Sequence, residues 1–229
     1  FAADVPTPQL ASLVHTAFDE ILGPLYAAAR YERVPLFSHY QFSADKAPHV
    51  RAAVAALVPD ATRAMLEFPG GLELPNVCDF YDEFLTRTPL PTQDYHYVSY
   101  VHGDLNAANI LVDAHDNVWV IDFFHAGRGH VLKDLAKFEN DLLYLLTPID
   151  DDAQLREAIS ITLALREVAD LRAPLADLPD GVRSPHLVRA WEILRVLRVT
   201  ISEICHDDRN PLQYHVAGLR YAVHTLSFP

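Results

Sequence analysis

Three polar side chains between residues 99 and 127 have the types and spacing that phosphoryl transfer uses. Asn109 and Asp122 would supply an amide oxygen and a carboxylate, hard oxygen ligands that suit Mg²⁺ and leave room for water or phosphate oxygens. Asp104 lies in the turn before Asn109, near enough to orient an attacking hydroxyl. Because catalysis of phosphoryl transfer is mostly positioning and charge neutralisation by metal, this set predicts a phosphotransfer site.

Two apolar, β-prone runs are expected to bring these side chains together as a hairpin. The runs are Ile110–Asp113 and Val118–Ile121, and the polar residues between them are typical of a hairpin connection. If the last residue of the first run pairs with the first residue of the second, Asn109 lies opposite Asp122. Both side chains would then project from the same end of the hairpin.

The region resembles the kinase-like phosphotransferases. The motifs HGDLNAANIL at 102–111 and VIDF at 120–123 resemble the catalytic loop and the magnesium-binding Asp-Phe-Gly of protein kinases. They are more similar to the aminoglycoside phosphotransferase and choline kinase branch, whose usual continuation matches AGRG at 126–129 and DLA at 134–136. The closing segment LQYHVAGLRYAVHTLSFP further resembles a predicted kinase domain of bacterial vWA–MoxR ternary systems.

This resemblance implies a role for each matching residue of the reaction centre. Asp104 would be the catalytic base, and His102 would be a supporting residue of the same catalytic loop. Asn109 and Asp122 would be the Mg²⁺ ligands. ATP would be the co-substrate.

The resemblance also implies roles outside the reaction centre. Leu111 and Ile121 would line the floor of the adenine pocket, and Asp134 would stabilise the catalytic loop rather than touch substrate. Asn106 departs from the family pattern, because these phosphotransferases commonly carry a second His there. The departure weakens any inference about how the substrate is oriented.

The surrounding sequence predicts a mainly helical α+β fold. Apolar residues at helical spacing predict helices at about 8–31 with a possible kink at Pro24, and at about 47–67, 79–85, 131–146, 153–171, 185–205 and 212–226. The acidic triplet Asp150–Asp152 is expected to cap the helix that follows it. We expect a helical segment at 1–95, the catalytic loop and hairpin at 96–127, and a helical bundle at 128–229.

The sequence lacks the signals of a kinase N-terminal lobe. It contains no G-x-G-x-x-G, and Lys46, which is the only lysine before the catalytic motif, does not lie in a strand pattern. We therefore expect the chain to be the C-terminal lobe of a kinase-like phosphotransferase and a fragment of a longer polypeptide, in keeping with its start at Phe1. The alternative is a kinase-like module that never had the small lobe.

Charge and composition argue against several other kinds of partner and site. The net charge of −13, without a cluster of Lys or Arg, argues against nucleic acid and against an anionic membrane surface as partners. Cys78 and Cys205 form no CxxC pattern, so we expect neither a disulfide framework nor a zinc site. This cysteine usage fits a reducing, cytoplasmic setting, and no apolar run is long enough to span a bilayer.

These observations predict an ATP-dependent phosphotransferase that moves the γ-phosphoryl group to a hydroxyl of a small molecule or protein. Its expected partners are ATP, the acceptor, and an N-terminal lobe or further domains of a longer chain. The excess of acidic residues could help to attract a cationic acceptor. A non-catalytic pseudokinase or interaction module is the alternative, and a two-metal phosphoesterase would need further His and Asp ligands.

Overall fold

The structure is a computed structural model that describes residues 5–68, 71–85 and 95–226. As predicted, these residues form an α+β fold that is mainly helical. The helices are α1 (Thr7–His15), α2 (Gly23–Tyr26), α3 (Leu36–His39), α4 (Ala47–Leu57), α5 (Val77–Asp79), α6 (Lys133–Tyr144), α7 (Asp152–Arg166), α8 (Pro185–Ile204) and α9 (Leu212–Thr225). The strands are β1 (Arg30–Arg33), β2 (Met65–Phe68), β3 (Leu72–Pro75), β4 (Tyr95–Val101), β5 (Ile110–Val112), β6 (Val118–Val120) and β7 (Gly127–His130).

A three-stranded antiparallel sheet leads into the predicted catalytic loop. Its order is β1-β4-β7, and the central strand β4 ends at Val101, directly before the loop. Strand β7 was not predicted from the sequence, because Gly127–His130 has no apolar alternation. Gly129 is nevertheless required there, since a Cβ would lie 2.9 Å from a methyl carbon of Val101. Close strand packing, which the sequence pattern does not record, therefore selects this residue.

The region predicted as a helical segment, 1–95, also contains β1, β2 and β3, so that prediction was only partly correct. The helix predicted at about 47–67 ends at Leu57. Val58 is extended, with φ −129° and ψ 148°, and it precedes Pro59, a position that disfavours helical backbone. The chain then forms the antiparallel pair β2–β3, in which Leu66 is buried.

The later helices follow the prediction closely and contribute to the core together with residues of the N-terminal part. Asp151 caps α7 through its carboxylate, which accepts a hydrogen bond from the Gln154 backbone N–H, so the predicted capping role of the acidic triplet is confirmed. Trp191 and Leu194 on α8 are fully buried. Helices α6 and α9 pack against each other, and α1 packs against α8. None of the described helices combines the length and the apolar character that crossing a membrane requires.

His130 at the end of β7 is a fully buried, neutral hydrogen-bonding group. Its Nδ1 accepts from the Tyr40 hydroxyl at 2.8 Å, and its Nε2 donates to the Gln213 side-chain oxygen at 2.9 Å. The Gln213 amide nitrogen donates to the Asp208 carbonyl, which fixes the orientation of that side chain. Burial lowers the pKa of His130 to about 3.

We expect His130 to make the free energy of unfolding fall in acid. Because its folded pKa lies below the usual value of about 6.5, the unfolded chain binds this proton first. The stability that depends on neutral His130 is present above pH 6.5 and is lost as the pH falls toward 3. Urea unfolding followed from pH 7.5 to 4.5 should therefore show, below pH 6.5, a wild-type slope that approaches about 1.4 kcal/mol per pH unit above that of His130→Gln.

The exposed His186 provides a matched control for this experiment. The variant His186→Gln should keep the wild-type pH dependence. Equal slopes for wild type and His130→Gln would contradict the assignment.

Candidate functional site

Asp134 fixes the backbone of the predicted catalytic loop. It lies in the first turn of α6 with its side chain buried. One carboxylate oxygen accepts from the His102 N–H at 2.7 Å and from the Tyr26 hydroxyl at 3.2 Å, and the other accepts from the Gly103 N–H at 2.8 Å. Burial raises the pKa of Asp134, while the hydrogen bonds from Gly103 and His102 oppose that change. The predicted loop-stabilising role of Asp134 is confirmed.

His102 links this loop to the end of the hairpin. Its ring is fully buried, and its Nε2 donates to the Ile121 carbonyl at 2.8 Å, directly before Asp122. The ring also packs against Phe123, with centroids 4.8 Å apart. These contacts tie the loop to the end of the hairpin, and the supporting role of His102 in catalysis stays a prediction.

The hairpin forms, but its register differs by one residue from the predicted register. Asp113 pairs with Asn117 through the backbone, so Asn109 lies opposite Ile121 rather than Asp122. The Asp113 carboxylate accepts from the backbone N–H groups of His115 and Asn117 and from the Asn117 side chain. These bonds, which also lower the pKa of Asp113, close a three-residue loop where the sequence suggested a four-residue loop.

Asn109 and Asp122 lie next to each other along the paired strands despite this change. The Ile121 N–H donates to the Asn109 carbonyl at 2.9 Å, and Asp122 is the next residue. Asp122 has left-handed backbone angles, φ 63° and ψ 56°, which turn the chain out of the hairpin into a short 3₁₀ helix. The Asn109 amide nitrogen donates to the Asp104 carbonyl at 3.0 Å. Asn109 is thus hydrogen-bonded both to the loop that carries Asp104 and to the strand that leads into Asp122.

This donor set fits a small divalent cation. An amide oxygen and an exposed carboxylate are hard ligands, and Mg²⁺ commonly uses few protein ligands together with phosphate oxygens and water. Across the described ranges, no group of three or more His, Cys, Asp or Glu side chains is arranged to hold a metal ion. The role of Asn109 and Asp122 as Mg²⁺ ligands stays a prediction.

Asn106, which departs from the family pattern, has a local structural role. Its side-chain oxygen accepts from the Ala108 N–H at 2.9 Å and caps the 3₁₀ turn Ala107–Asn109. Its amide nitrogen donates to the Asp104 carbonyl at 3.3 Å. Asn106 therefore shapes the loop that carries Asp104.

The two residues predicted to line the adenine pocket lie on an exposed face of the hairpin. Leu111 is 47% exposed and Ile121 is 40% exposed. Trp119 pairs with Leu111 across the strands and is also exposed, and Phe124 beyond the hairpin is 85% exposed. We call Leu111, Trp119 and Ile121 the apolar hairpin face. The role of Leu111 and Ile121 in adenine binding stays a prediction.

Lys137, which was not predicted from the sequence, contacts the Asp104 carboxylate. The Nζ atom of Lys137 on α6 lies 3.6 Å from Oδ1 of Asp104 and 3.3 Å from Oδ2 of Asp141. The same atom lies 5.9 Å from the centre of the Tyr221 ring. The i,i+4 spacing of Lys137 and Asp141 was a sequence signal of their pairing. Their proximity to Asp104 depends on tertiary packing and gave no such signal.

His224 on α9 lies within the electrostatic reach of the same cluster. Partial burial lowers its pKa, as do the charges of Arg220 and Lys137, whereas Asp104 and Asp141 raise it. The surroundings of Asp104 are therefore mixed in charge, and the overall acidity of the chain does not describe them.

Comparison with known proteins identifies the family but no curated relative. No curated protein matches the chain. A family model described as ternary complex associated domain 9 matches residues 28–227, which is most of the chain. This match supports the ternary-system context that the closing segment suggested. The chain therefore belongs to the family of ternary complex associated domain 9.

Proposed function

We propose that this chain is a phosphotransferase of the kinase-like superfamily that moves the γ-phosphoryl group of ATP to a hydroxyl of a small molecule or protein. The observation that carries the proposal is the attachment of the Asp104 loop to both α6 and the hairpin. Asp134 holds the loop from one side, and Asn109 binds the Asp104 carbonyl from the other. Such fixed positioning is the main protein contribution to phosphoryl transfer.

Asp104 has the exposure that a group acting on an acceptor hydroxyl needs. Its side chain is 46% exposed, whereas the residues that position it are buried. Asp104 would orient the hydroxyl and accept its proton. Asn109 and Asp122 would hold Mg²⁺, which would neutralise charge on the phosphates. Leu111 and Ile121 would support the adenine ring.

We also infer that the chain works as part of a complex with other proteins. The family description refers to a ternary complex, and the apolar hairpin face is an exposed surface that a further domain or subunit could cover. The expected small lobe, on a longer polypeptide or a partner, would cover this face. The same observations favour a second candidate function, a non-catalytic kinase-like module within that complex.

Calorimetric titration of Mg·ATP into the chain tests the nucleotide site. We expect binding by wild type, and loss of measurable binding in Asn109→Ala and Asp122→Ala, because each variant removes an oxygen ligand. Asp177→Ala, which removes a fully exposed carboxylate, is the control and should bind like wild type. Binding that survives both hairpin variants would overturn the proposed metal site.

Turnover separates the two candidate functions. With Mg·ATP and a hydroxyl acceptor found by screening, Asp104→Asn should lower the rate of ADP release by about 10²–10⁴-fold while leaving Mg·ATP binding intact. Turnover unchanged by Asp104→Asn would contradict the catalytic role. Binding that depends on Asn109 and Asp122 without any turnover would favour the non-catalytic module.

A further inference from the structure

The ammonium group of Lys137 lies between two carboxylates at the candidate site. Its Nζ atom is 3.3 Å from Oδ2 of Asp141 and 3.6 Å from Oδ1 of Asp104. Among the residues that the structure describes, Lys137 is the one cation that forms an ion pair with Asp104. The hydrogen bonds that hold the loop and the predicted metal ligands give this lysine no role.

The two carboxylates differ in exposure. The Asp141 side chain is 7% exposed, whereas the Asp104 side chain is 46% exposed. Asp141 accepts a hydrogen bond from the ammonium, and the Tyr221 ring lies on another side of it. The Lys137 side chain itself is 13% exposed. Lys137 is therefore held from the protein interior, with its ammonium beside the exposed carboxylate of Asp104.

Lys137 keeps hydrogen-bonding capacity on the side of Asp104. An ammonium group carries three N–H donors, and the bond to Asp141 uses one of them. The separation of 3.6 Å between Nζ and the Asp104 Oδ1 is too long for a hydrogen bond. Within the described ranges, the ammonium makes no hydrogen bond besides the one to Asp141. A donor is thus left for a ligand oxygen that enters beside Asp104.

The proposed function would bring negatively charged oxygens to this place. An acceptor hydroxyl that gives its proton to Asp104 must lie within about 3.2 Å of that carboxylate. The same hydroxyl oxygen forms the bond to phosphorus, so the other oxygens of the transferred phosphoryl group lie next to it. An ammonium group that is 3.6 Å from the Asp104 oxygen is within reach of them. Fixed cations at such positions stabilise the charge of the transition state.

We propose that Lys137 is a further catalytic residue, which donates a hydrogen bond to an oxygen of the phosphoryl group during its transfer. This inference rests on the proposed function. In the step, the acceptor oxygen bonds to the γ-phosphorus, the bond from that phosphorus to the leaving oxygen of ADP breaks, and the hydroxyl proton passes to Asp104. Lys137 keeps its proton and neutralises charge on the phosphoryl oxygens.

Binding of Mg·ADP with aluminium fluoride tests this role without a known acceptor, because the fluoride complex mimics the phosphoryl group in transfer. In calorimetric titrations, aluminium fluoride should tighten Mg·ADP binding by wild type by about tenfold or more. Lys137→Met should bind Mg·ADP alone like wild type but lose most of this tightening. Lys137→Arg keeps a charged donor and should restore part of it.

Two further variants separate this role from a structural one. Lys137→Met leaves the buried Asp141 carboxylate without its partner, which could destabilise the fold. The double variant Lys137→Met/Asp141→Asn removes that buried charge as well, and it should fold yet still lack the tightening. Arg195→Met, which removes a cation that pairs with the exposed Asp177 on the surface, is the control and should behave like wild type.

The outcomes distinguish the role of Lys137 from the proposed function. Equal tightening in wild type and in the double variant would overturn the role of Lys137, and so would binding of Mg·ADP by wild type without any tightening. Mg·ADP binding that depends on Asn109 and Asp122 would keep the proposed metal site in both cases. If wild type bound no Mg·ADP, the proposed function would fail, and the role of Lys137 with it.

Discussion

Replacing Asp134 with alanine is expected to lower the free energy of unfolding by about 3–5 kcal/mol. The change removes the acceptor of the His102 and Gly103 backbone N–H groups and of the Tyr26 hydroxyl. His102 and Tyr26 are buried, so water does not replace the lost carboxylate freely. An unpaired buried donor costs about 1–3 kcal/mol, and here several are left at once.

Urea denaturation of purified Asp134→Ala measures this effect. Asp177→Ala is the matched control, because Asp177 is fully exposed and pairs with Arg195 only at the surface. That variant should stay within about 0.5 kcal/mol of wild type. A loss below about 1 kcal/mol in Asp134→Ala would show that the loop does not depend on this carboxylate.

Gly103→Ala is expected to be similarly damaging, with a loss of at least about 3 kcal/mol. Gly103 has φ +89°, a left-handed region that L side chains rarely adopt. In addition, a Cβ would lie 2.2 Å from the His125 carbonyl oxygen, which is far inside van der Waals contact. Because the obstacle is backbone, relief requires the loop and the segment after Asp122 to move apart.

Gly181→Ala separates these two causes. Gly181 has nearly the same backbone angle, φ +87°, but a Cβ there would have no heavy atom within 4 Å. We expect this variant to lose only about 1–2 kcal/mol, the cost of the left-handed conformation alone. Equal losses in Gly181→Ala and Gly103→Ala, measured by urea denaturation, would contradict the close approach of the loop to His125.

The late helices could be predicted from the sequence because their apolar periodicity and their packing agree. The helix predicted at about 185–205 is found at Pro185–Ile204, and its buried face includes Trp191 and Leu197. The N-terminal part was less predictable. Arg30–Arg33 forms a strand because β4 lies beside it, and no local pattern in these residues records that neighbour.

The residue types of the candidate site could be predicted from the sequence, but the hairpin register and the tertiary contacts of the site could not. The two apolar runs at 110–113 and 118–121 correctly predicted a hairpin after the loop that carries Asp104. The register could not be derived from the apolar pattern, because side-chain hydrogen bonds from Asp113 chose the loop length. Lys137 could not be placed beside Asp104 at all, since that contact depends on how α6 packs.

The hydrogen bonds from the loop N–H groups to the Asp134 carboxylate also have a consequence for synthesis on the ribosome. His102 and its anchor are 32 residues apart in the chain, and the loop comes first. At about 5–20 residues per second, the anchor is translated roughly 2–6 s after the loop. During that interval the nascent loop lacks the carboxylate that accepts from its backbone N–H groups in the folded protein. The site can therefore become ordered only after translation has passed α6, even though its signature motif is complete much earlier.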